Sequence, residues 1–111
     1  MNAAFEHHRD LMLQVRQSLV RTEYRERMKC LAQGLYRSEA EALEGLVIEP
    51  PTPTDAEVRE SIVSSMEWAT RMREAAEKHG EQWGETVRQR WLHEAERIEA
   101  GARVALREQE T

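Results

Sequence analysis

The chain has 111 residues, and its 16 basic and 21 acidic groups give a net charge of −5. Leu, Ile, Val and Phe make up only 18% of it, but the mixed charge signs argue against a self-repelling disordered chain, and the abundance of Ala, Glu and Arg favours helix. It contains neither a run of 18 apolar residues nor a recognisable export signal, and the single Cys30 excludes an internal disulfide. We therefore expect a small, soluble, cytoplasmic helical protein, and the excess of Arg over Lys favours a bacterial or phage origin.

The first predicted element is a long helix from Ala3 to Gln33. Neither Gly nor Pro interrupts this stretch, Asn2 is a suitable N-cap, and Gly34 is a natural residue to follow a helix end. Apolar residues recur along it at helical spacing. The predicted stripe consists of Leu13, Val20, Tyr24, Met28, Leu31 and Leu35, widened near its start by Phe5, Met12 and Leu19.

A short second helix is predicted after Ser38, because Ser38 and Glu41 have the spacing of a capping box. Its expected packing face consists of Ala42, Leu43, Leu46 and Val47. Residues 49–54 follow and contain all three prolines of the chain. Proline at this density forbids helix and predicts a stiff, extended connector.

A third helix is predicted to begin at a second capping box, formed by Thr54 and Glu57. Its apolar stripe consists of Val58, Ile62, Met66 or Ser65, Ala69, Met72 and Ala76. The sequence Lys78-His79-Gly80 predicts the end of this helix, where the imidazole of His79 would complement the helix dipole.

A fourth helix is predicted from Glu81 to about Arg107. Its stripe consists of Trp83, Val87, Trp91, Ala95, Ile98, Ala102 and either Ala105 or Leu106. Gly80 and Gly84 lie between the third and fourth stripes and favour a helical hairpin that turns there. One continuous bent helix is the alternative.

These elements predict an all-α fold over residues 1–111 as one domain, with sub-segments 1–48, 49–54 and 55–108. A 31-residue helix is about 46 Å long. A compact chain of this size is only roughly 35 Å across. We therefore expect a small helical bundle that a second copy completes as a homodimer, or that another protein completes.

Charge is distributed unevenly along the chain. Residues 1–37 carry a net charge of +3, residues 38–60 carry −6 and residues 61–111 carry −2. The acidic middle segment has almost no compensating cations and would suit a basic or mixed surface on another protein. The candidate interface acids are Glu39, Glu41, Glu44 and Glu49.

Three apolar residues of the C-terminal half are further interface candidates. Trp68 falls off the apolar line of its helix and shares a flank with Met72, which would give a Trp/Met binding surface. A core wider than the predicted stripe would account for Trp68 equally well. Trp83 lies at the predicted turn, where core and interface roles both remain open.

Catalytic and metal-binding patterns have no positive support in the sequence. A helical di-metal site needs Glu-x-x-His on facing helices, and this motif does not occur. No nucleophile elbow, phosphate-binding glycine loop or Cys/His zinc pattern occurs either. We therefore expect neither an enzyme nor a bound metal or cofactor.

One segment has a local similarity to a known family. Gly34-Leu35-Tyr36-Arg37-Ser38-Glu39-Ala40-Glu41-Ala42-Leu43 resembles the segment that joins the two helices of ribbon-helix-helix antitoxins. The resemblance implies a dimeric DNA-binding N-terminal half with an upstream strand over residues 11–19, and a C-terminal half that captures a toxin. The implied nucleic-acid contacts are Gln14, Arg16 and Ser18, with Arg21 and Arg25 near phosphates. The helical stripe explains the same residues without a strand.

The leading functional expectation is a non-enzymatic protein-interaction module of adaptor, inhibitor or chaperone kind, without a membrane or nucleic-acid partner. The alternative is the antitoxin or repressor that the ribbon-helix-helix resemblance implies.

Overall fold

The computed structural model describes residues 3–110, apart from the side chain of Glu110. It contains four helices: α1 (Ala3–Ala32), α2 (Glu39–Ala42), α3 (Asp55–Trp83) and α4 (Glu85–Glu110). No strand occurs among these residues, which confirms the prediction of an all-helical chain. The predicted cap Asn2 lies outside the described residues.

The chain divides into two compact units. Unit 1 comprises Met1–His8 and Thr54–Thr111, and unit 2 comprises Arg9–Pro53. The start of α1 therefore belongs to unit 1, and the rest of α1 belongs to unit 2. The boundary after Pro53 lies within the predicted proline-rich connector.

Unit 1 contains the helical hairpin of α3 and α4. The predicted capping box begins α3: the Thr54 hydroxyl accepts the Glu57 N–H at 3.2 Å, and the Glu57 carboxylate accepts the Thr54 N–H at 3.1 Å. The turn is made at Gly84, whose φ of 88° and ψ of 156° are accessible almost only to glycine. The prediction of a helical hairpin is confirmed, and the chain does not form one continuous bent helix here.

The predicted end of the third helix was four residues too early. Gly80 lies inside α3 and is buried. A Cβ atom there would come within 2.5 Å of the Arg88 Cδ atom on α4, so glycine at position 80 leaves room for the Arg88 side chain. His79 consequently lies within the helix, with its ring centroid 5.6 Å from that of Trp83, and does not cap a helix end as predicted.

The buried residues of the hairpin follow the predicted stripes. On α3 they are Val58, Ile62, Ala69, Met72 and Ala76, and on α4 they are Ala95, Ala102 and Ala105. The partly buried side chains of Trp91 and Ile98 pack against the cluster of Ala69, Met72 and Ala95. The core is therefore narrow and rich in alanine, with larger side chains along its edges.

The start of α1 packs within unit 1. Phe5 is buried there, and no other described residue of α1 is buried. The Ala4 N–H donates to the Glu108 carboxylate at 2.8 Å, and His8 Nε2 lies 2.9 Å from the Ser61 hydroxyl oxygen. Partial burial, with His7 alongside, lowers the pKa of His8 below its ordinary value.

In unit 2, α1 ends close to its predicted position. Gly34 has a φ of 81°, and its N–H donates to the Leu31 carbonyl at 3.0 Å. The Leu35 N–H donates to the Cys30 carbonyl at the same distance, which completes a Schellman motif.

The predicted second helix is a single turn. The Ser38 hydroxyl accepts the Glu41 N–H at 3.2 Å, as a helix cap should. The Glu41 carboxylate accepts from the N–H of Arg37, at 3.1 Å, where the predicted capping box required Ser38. Gly45, with a φ of 75°, then turns the chain into an irregular segment.

That segment, residues 43–53, is named the strap. Guanidinium groups on α1 hold it by donating to its backbone carbonyls. The pairs are Arg9 with Pro53, Arg16 with Pro51 at 2.8 Å, and Arg27 with Glu44 at 2.7 Å. The three arginines are 7 and 11 residues apart, which places them on one face of the helix. The proline-rich segment is therefore tied along α1, beyond the connector role that the sequence predicted.

Candidate protein-interaction site

An open groove lies in unit 2, between α1 and the strap. It has a volume of about 460 Å³ and is named the α1 groove. Its residues are Gln17, Val20, Arg21, Tyr24 and Arg25 from α1, with Leu46 and Ile48 from the strap. Val20 and Leu46 are half-buried, whereas Tyr24 and Ile48 are exposed. The walls are therefore mainly apolar and accessible to another molecule.

Two arginines line the groove without partners. Arg21 and Arg25 are four residues apart, so they lie on one face of α1. Both are exposed, and neither side chain makes a hydrogen bond or ion pair with the described part of the chain. Each ends in a guanidinium group, a cation that only donates hydrogen bonds. The groove thus combines an apolar wall with two available cations.

The arginines that tie the strap determine where the groove walls stand. Arg27 donates to the carbonyls of Glu44 at 2.7 Å and Ala42 at 3.3 Å, and it pairs with the Glu23 carboxylate at 3.0 Å. These contacts hold the beginning of the strap against α1. Leu46 and Ile48 follow within four residues, so the Arg27 tether positions the strap side of the groove.

The four predicted interface acids are all exposed in unit 2. The Glu41 carboxylate accepts the Arg37 N–H. The side chains of Glu39, Glu44 and Glu49 have no hydrogen-bond or ion-pair partner within residues 3–110. The acidic segment therefore presents uncompensated charge.

The structure separates the predicted Trp/Met surface of the hairpin. Trp68 is 54% exposed, but Met72 is only 9% exposed and packs in the core with Ala69 and Ala95. The reason is that Met72 lies on the buried stripe, three residues from Ala69, so it is unavailable to a partner. Trp83 is half-buried, with its ring centroid 4.9 Å from that of Trp91.

The predicted nucleic-acid residues do not form a strand. Residues 11–19 lie inside α1, because no helix breaker interrupts the sequence and each of these residues can bond within the helix. Arg16 donates to the Pro51 carbonyl, on the face that holds the strap. Gln14 and Ser18 are exposed on the same helix, and Arg21 and Arg25 line the α1 groove. The strand that the ribbon-helix-helix resemblance implies was wrong.

A largely buried carboxylate joins the two helices of the hairpin. Glu99 on α4 is 8% exposed and accepts a hydrogen bond of 2.9 Å from Arg73 Nη2 on α3. Arg73 Nη1 forms an ion pair with the other carboxylate oxygen at 2.9 Å, and Arg103 lies at 3.4 Å. The hydrogen bond from Arg73 lowers the pKa of Glu99, and the charges of both arginines act in the same direction against the opposing effect of burial. This contact fixes the register of α3 against α4.

The other titratable groups form no further candidate site. No group of three His, Cys, Asp or Glu residues suited to a metal ion occurs in the part of the chain that the structure describes. Cys30 is a partly buried free thiol. Among residues 3–110, no helix has the length and apolar character needed to cross a membrane.

Sequence reasoning did not identify the α1 groove as a site. Val20, Tyr24 and Leu46 were predicted only as packing positions, and Arg21 and Arg25 only as phosphate contacts of the alternative. The signal available in the sequence was the spacing of Arg9, Arg16 and Arg27, which places three basic residues on the apolar face of α1. What these arginines bind depends on where the strap lies, which the spacing does not show.

Comparison with protein-family models, with curated proteins and with solved structures gives no match for this chain.

Proposed function

We propose that this chain is a non-enzymatic protein-interaction module of adaptor, inhibitor or chaperone kind, and that the α1 groove is its binding site. The observation that carries the proposal is an open apolar groove lined by two arginines that have no internal partner. An apolar wall favours an apolar side chain, and an unpaired guanidinium next to it favours a carboxylate. The groove therefore suits a protein segment in which an apolar residue stands near Asp or Glu.

The size of the groove supports an anchoring role. A volume of about 460 Å³ lies within the range of sites that hold small ligands or side chains, roughly 300–1,000 Å³. It is sufficient for one or two large side chains of a partner, with the rest of that segment lying on the surface.

The chemistry of the groove supports binding over catalysis. The guanidinium groups of Arg21 and Arg25 only donate hydrogen bonds. With a carboxylate they can form bidentate contacts, which are stronger and more directional than contacts of lysine. Such a pair recognises a charge and its orientation.

A displayed library of random peptides, selected on the full chain, tests the proposal. We expect enrichment of peptides with a large apolar residue within about four positions of an acid, and at least tenfold weaker binding of those peptides to the variant R21E/R25E. The matched control R71E/R90E reverses two exposed charges of unit 1 that also lack partners, and should bind as the wild type does.

Peptides without acids, or equal binding by R21E/R25E and the wild type, would show that the α1 groove is not the site. Circular dichroism of both variants checks the helical content. Because the side chains of Arg21 and Arg25 make no hydrogen bond or ion pair within residues 3–110, their substitution should leave the fold intact.

A further inference from the structure

We propose that a second copy of this chain occupies the α1 groove, through exposed side chains of its strap. This inference rests on the proposed function, because it takes the α1 groove as a protein-binding site and names the segment that fills it. The segment is residues 44–49, with Val47 as the apolar anchor and Glu44 and Glu49 as the acids that meet Arg21 and Arg25.

The side chains that would enter the partner do not line the groove of their own copy. Leu46 and Ile48 line that groove. Glu44, Val47 and Glu49 do not line it, and all three are exposed. Val47 is 59% exposed, a large fraction for a valine held next to a tethered backbone. The strap therefore offers an apolar side chain and a carboxylate two residues apart.

The charges of the two surfaces are complementary. Arg21 and Arg25 give the groove two positive charges without partners, and Glu44 and Glu49 give the segment two negative charges without side-chain partners. All four belong to unit 2, yet no hydrogen bond or ion pair joins the arginines to the glutamates. The pairing that their charges favour is thus open to a second molecule.

Two-fold symmetry would let this contact form twice and so give a closed dimer. The groove and the acidic segment lie in the same unit, so a two-fold axis lets each copy give its segment and receive that of its partner. Two identical contacts then form at once, each with an apolar anchor and two charge pairs. Closure of this kind yields a dimer and not a filament.

A charge exchange between two variants tests the inference by sedimentation equilibrium of the full chain. The wild type should dimerise, and R21E/R25E and E44R/E49R should each have a dimer dissociation constant at least tenfold higher. In both variants the contact brings like charges together. An equimolar mixture of the two restores opposite charges at both contacts and should recover the wild-type affinity as a heterodimer.

Two controls accompany the exchange. The variant E60R/E67R reverses two exposed acids of α3 that have no partners and should dimerise as the wild type does. Raising the salt from about 50 to 500 mM should weaken the wild-type dimer, because exposed charge pairs are screened within a few ångströms at that ionic strength. Circular dichroism confirms that each variant remains helical.

A wild type that stays monomeric at all concentrations, variants that dimerise unchanged, or a mixture that fails to associate would each overturn the inference. The outcome is separable from that of the proposed function. If the wild type is monomeric but the groove still selects acidic, apolar peptides, the inference of a second copy is wrong and the proposed protein-interaction function is supported. If the mixture associates but no peptide binds, the groove serves self-association and the role toward other proteins is wrong.

Discussion

Units 1 and 2 are held together by different forces. Unit 1 has buried apolar residues along both α3 and α4, with Ala69, Met72 and Ala95 packed in one cluster. In unit 2 the buried residues are Ala42 and Pro53, and guanidinium-to-carbonyl hydrogen bonds tie the strap to α1. Of the large hydrophobic side chains that are exposed within residues 3–110, seven lie in unit 2 and four in unit 1.

The difference shows where binding capacity resides. Burial of apolar surface stabilises a unit and leaves little of that surface for a partner. A unit held by polar tethers keeps its apolar side chains accessible. Unit 2 has more of the exposed large hydrophobic side chains, and it places the unpaired Arg21 and Arg25 beside an apolar groove, which is the combination that the proposed interaction requires. The following predictions test this contrast, from the largest expected effect to the smallest.

The largest difference should come from the same substitution made in each unit. Ile62→Ala removes a side chain that is 1% exposed in the core of unit 1, and should lower the free energy of unfolding by about 2–5 kcal/mol. Ile48→Ala, at a position 66% exposed in unit 2, should change it by less than about 0.5 kcal/mol. Urea denaturation of the two variants measures both. Equal losses would show that unit 2 depends on apolar burial as much as unit 1.

The second prediction concerns the hairpin turn. Gly84→Ala places a side chain on a backbone that only glycine adopts readily, and should lower the free energy of unfolding by about 1–3 kcal/mol. Gly101→Ala, within α4 and in open space, is the matched control and should raise it by about 0.5–1 kcal/mol through helix propensity. A shift of both melting temperatures in the same direction would contradict the assignment of the turn.

The third prediction tests the polar tethers of unit 2. Arg27→Ala removes the donor to the carbonyls of Glu44 and Ala42. The free energy needed to open the strap locally should therefore fall by about 1–2 kcal/mol. Amide hydrogen exchange at Leu46, whose N–H donates to the Leu43 carbonyl, should be roughly tenfold faster. Exchange in α3 should stay as in the wild type. Arg71→Ala serves as the control, and unchanged exchange at Leu46 would argue against the tether.

The smallest effect at neutral pH concerns the ion pair between Arg73 on α3 and Glu99 on α4. Because Glu99 has a lowered pKa in the folded chain, the unfolded chain binds its proton first as the pH falls. The stability that Glu99 contributes is therefore complete above the ordinary glutamate pKa of about 4.3 and is lost as the pH falls through the lowered value.

Thermal unfolding between pH 7 and pH 2.5 measures this loss. Glu99→Gln should flatten the acid side of the stability profile, whereas Glu67→Gln, an exposed position without a partner, should leave it unchanged. An unchanged acid slope in Glu99→Gln would place the acid sensitivity elsewhere.

Local signals predicted the helical elements well. The capping residues Ser38 and Thr54 and the terminating Gly34 act through groups within a few residues of themselves, so their positions were visible in the sequence. The stripe from Val58 to Ala76 was also correct, because helical periodicity determines which face of α3 can be buried.

Errors arose where a residue's partner is distant in sequence. Gly80 matches the pattern of a helix end, but its close contact with Arg88 lies inside the hairpin. Met72 looked available beside Trp68, but the approach of α4 buries it. The alternative strand over residues 11–19 failed for a local reason instead, because these residues lie in α1 and helical hydrogen bonds satisfy their backbone.

The sequence by itself determined the helices, the proline-rich break and the concentration of charge in the middle of the chain. These properties depend on backbone propensity, capping and composition, which act locally. Only the tertiary structure decided that the proline-rich segment lies along α1, that Arg21 and Arg25 remain unpaired beside apolar walls, and that Glu99 is enclosed by two arginines. The physical reason is that each depends on the approach of segments separated by roughly 20 to 35 residues, and on which charges that approach leaves without a partner.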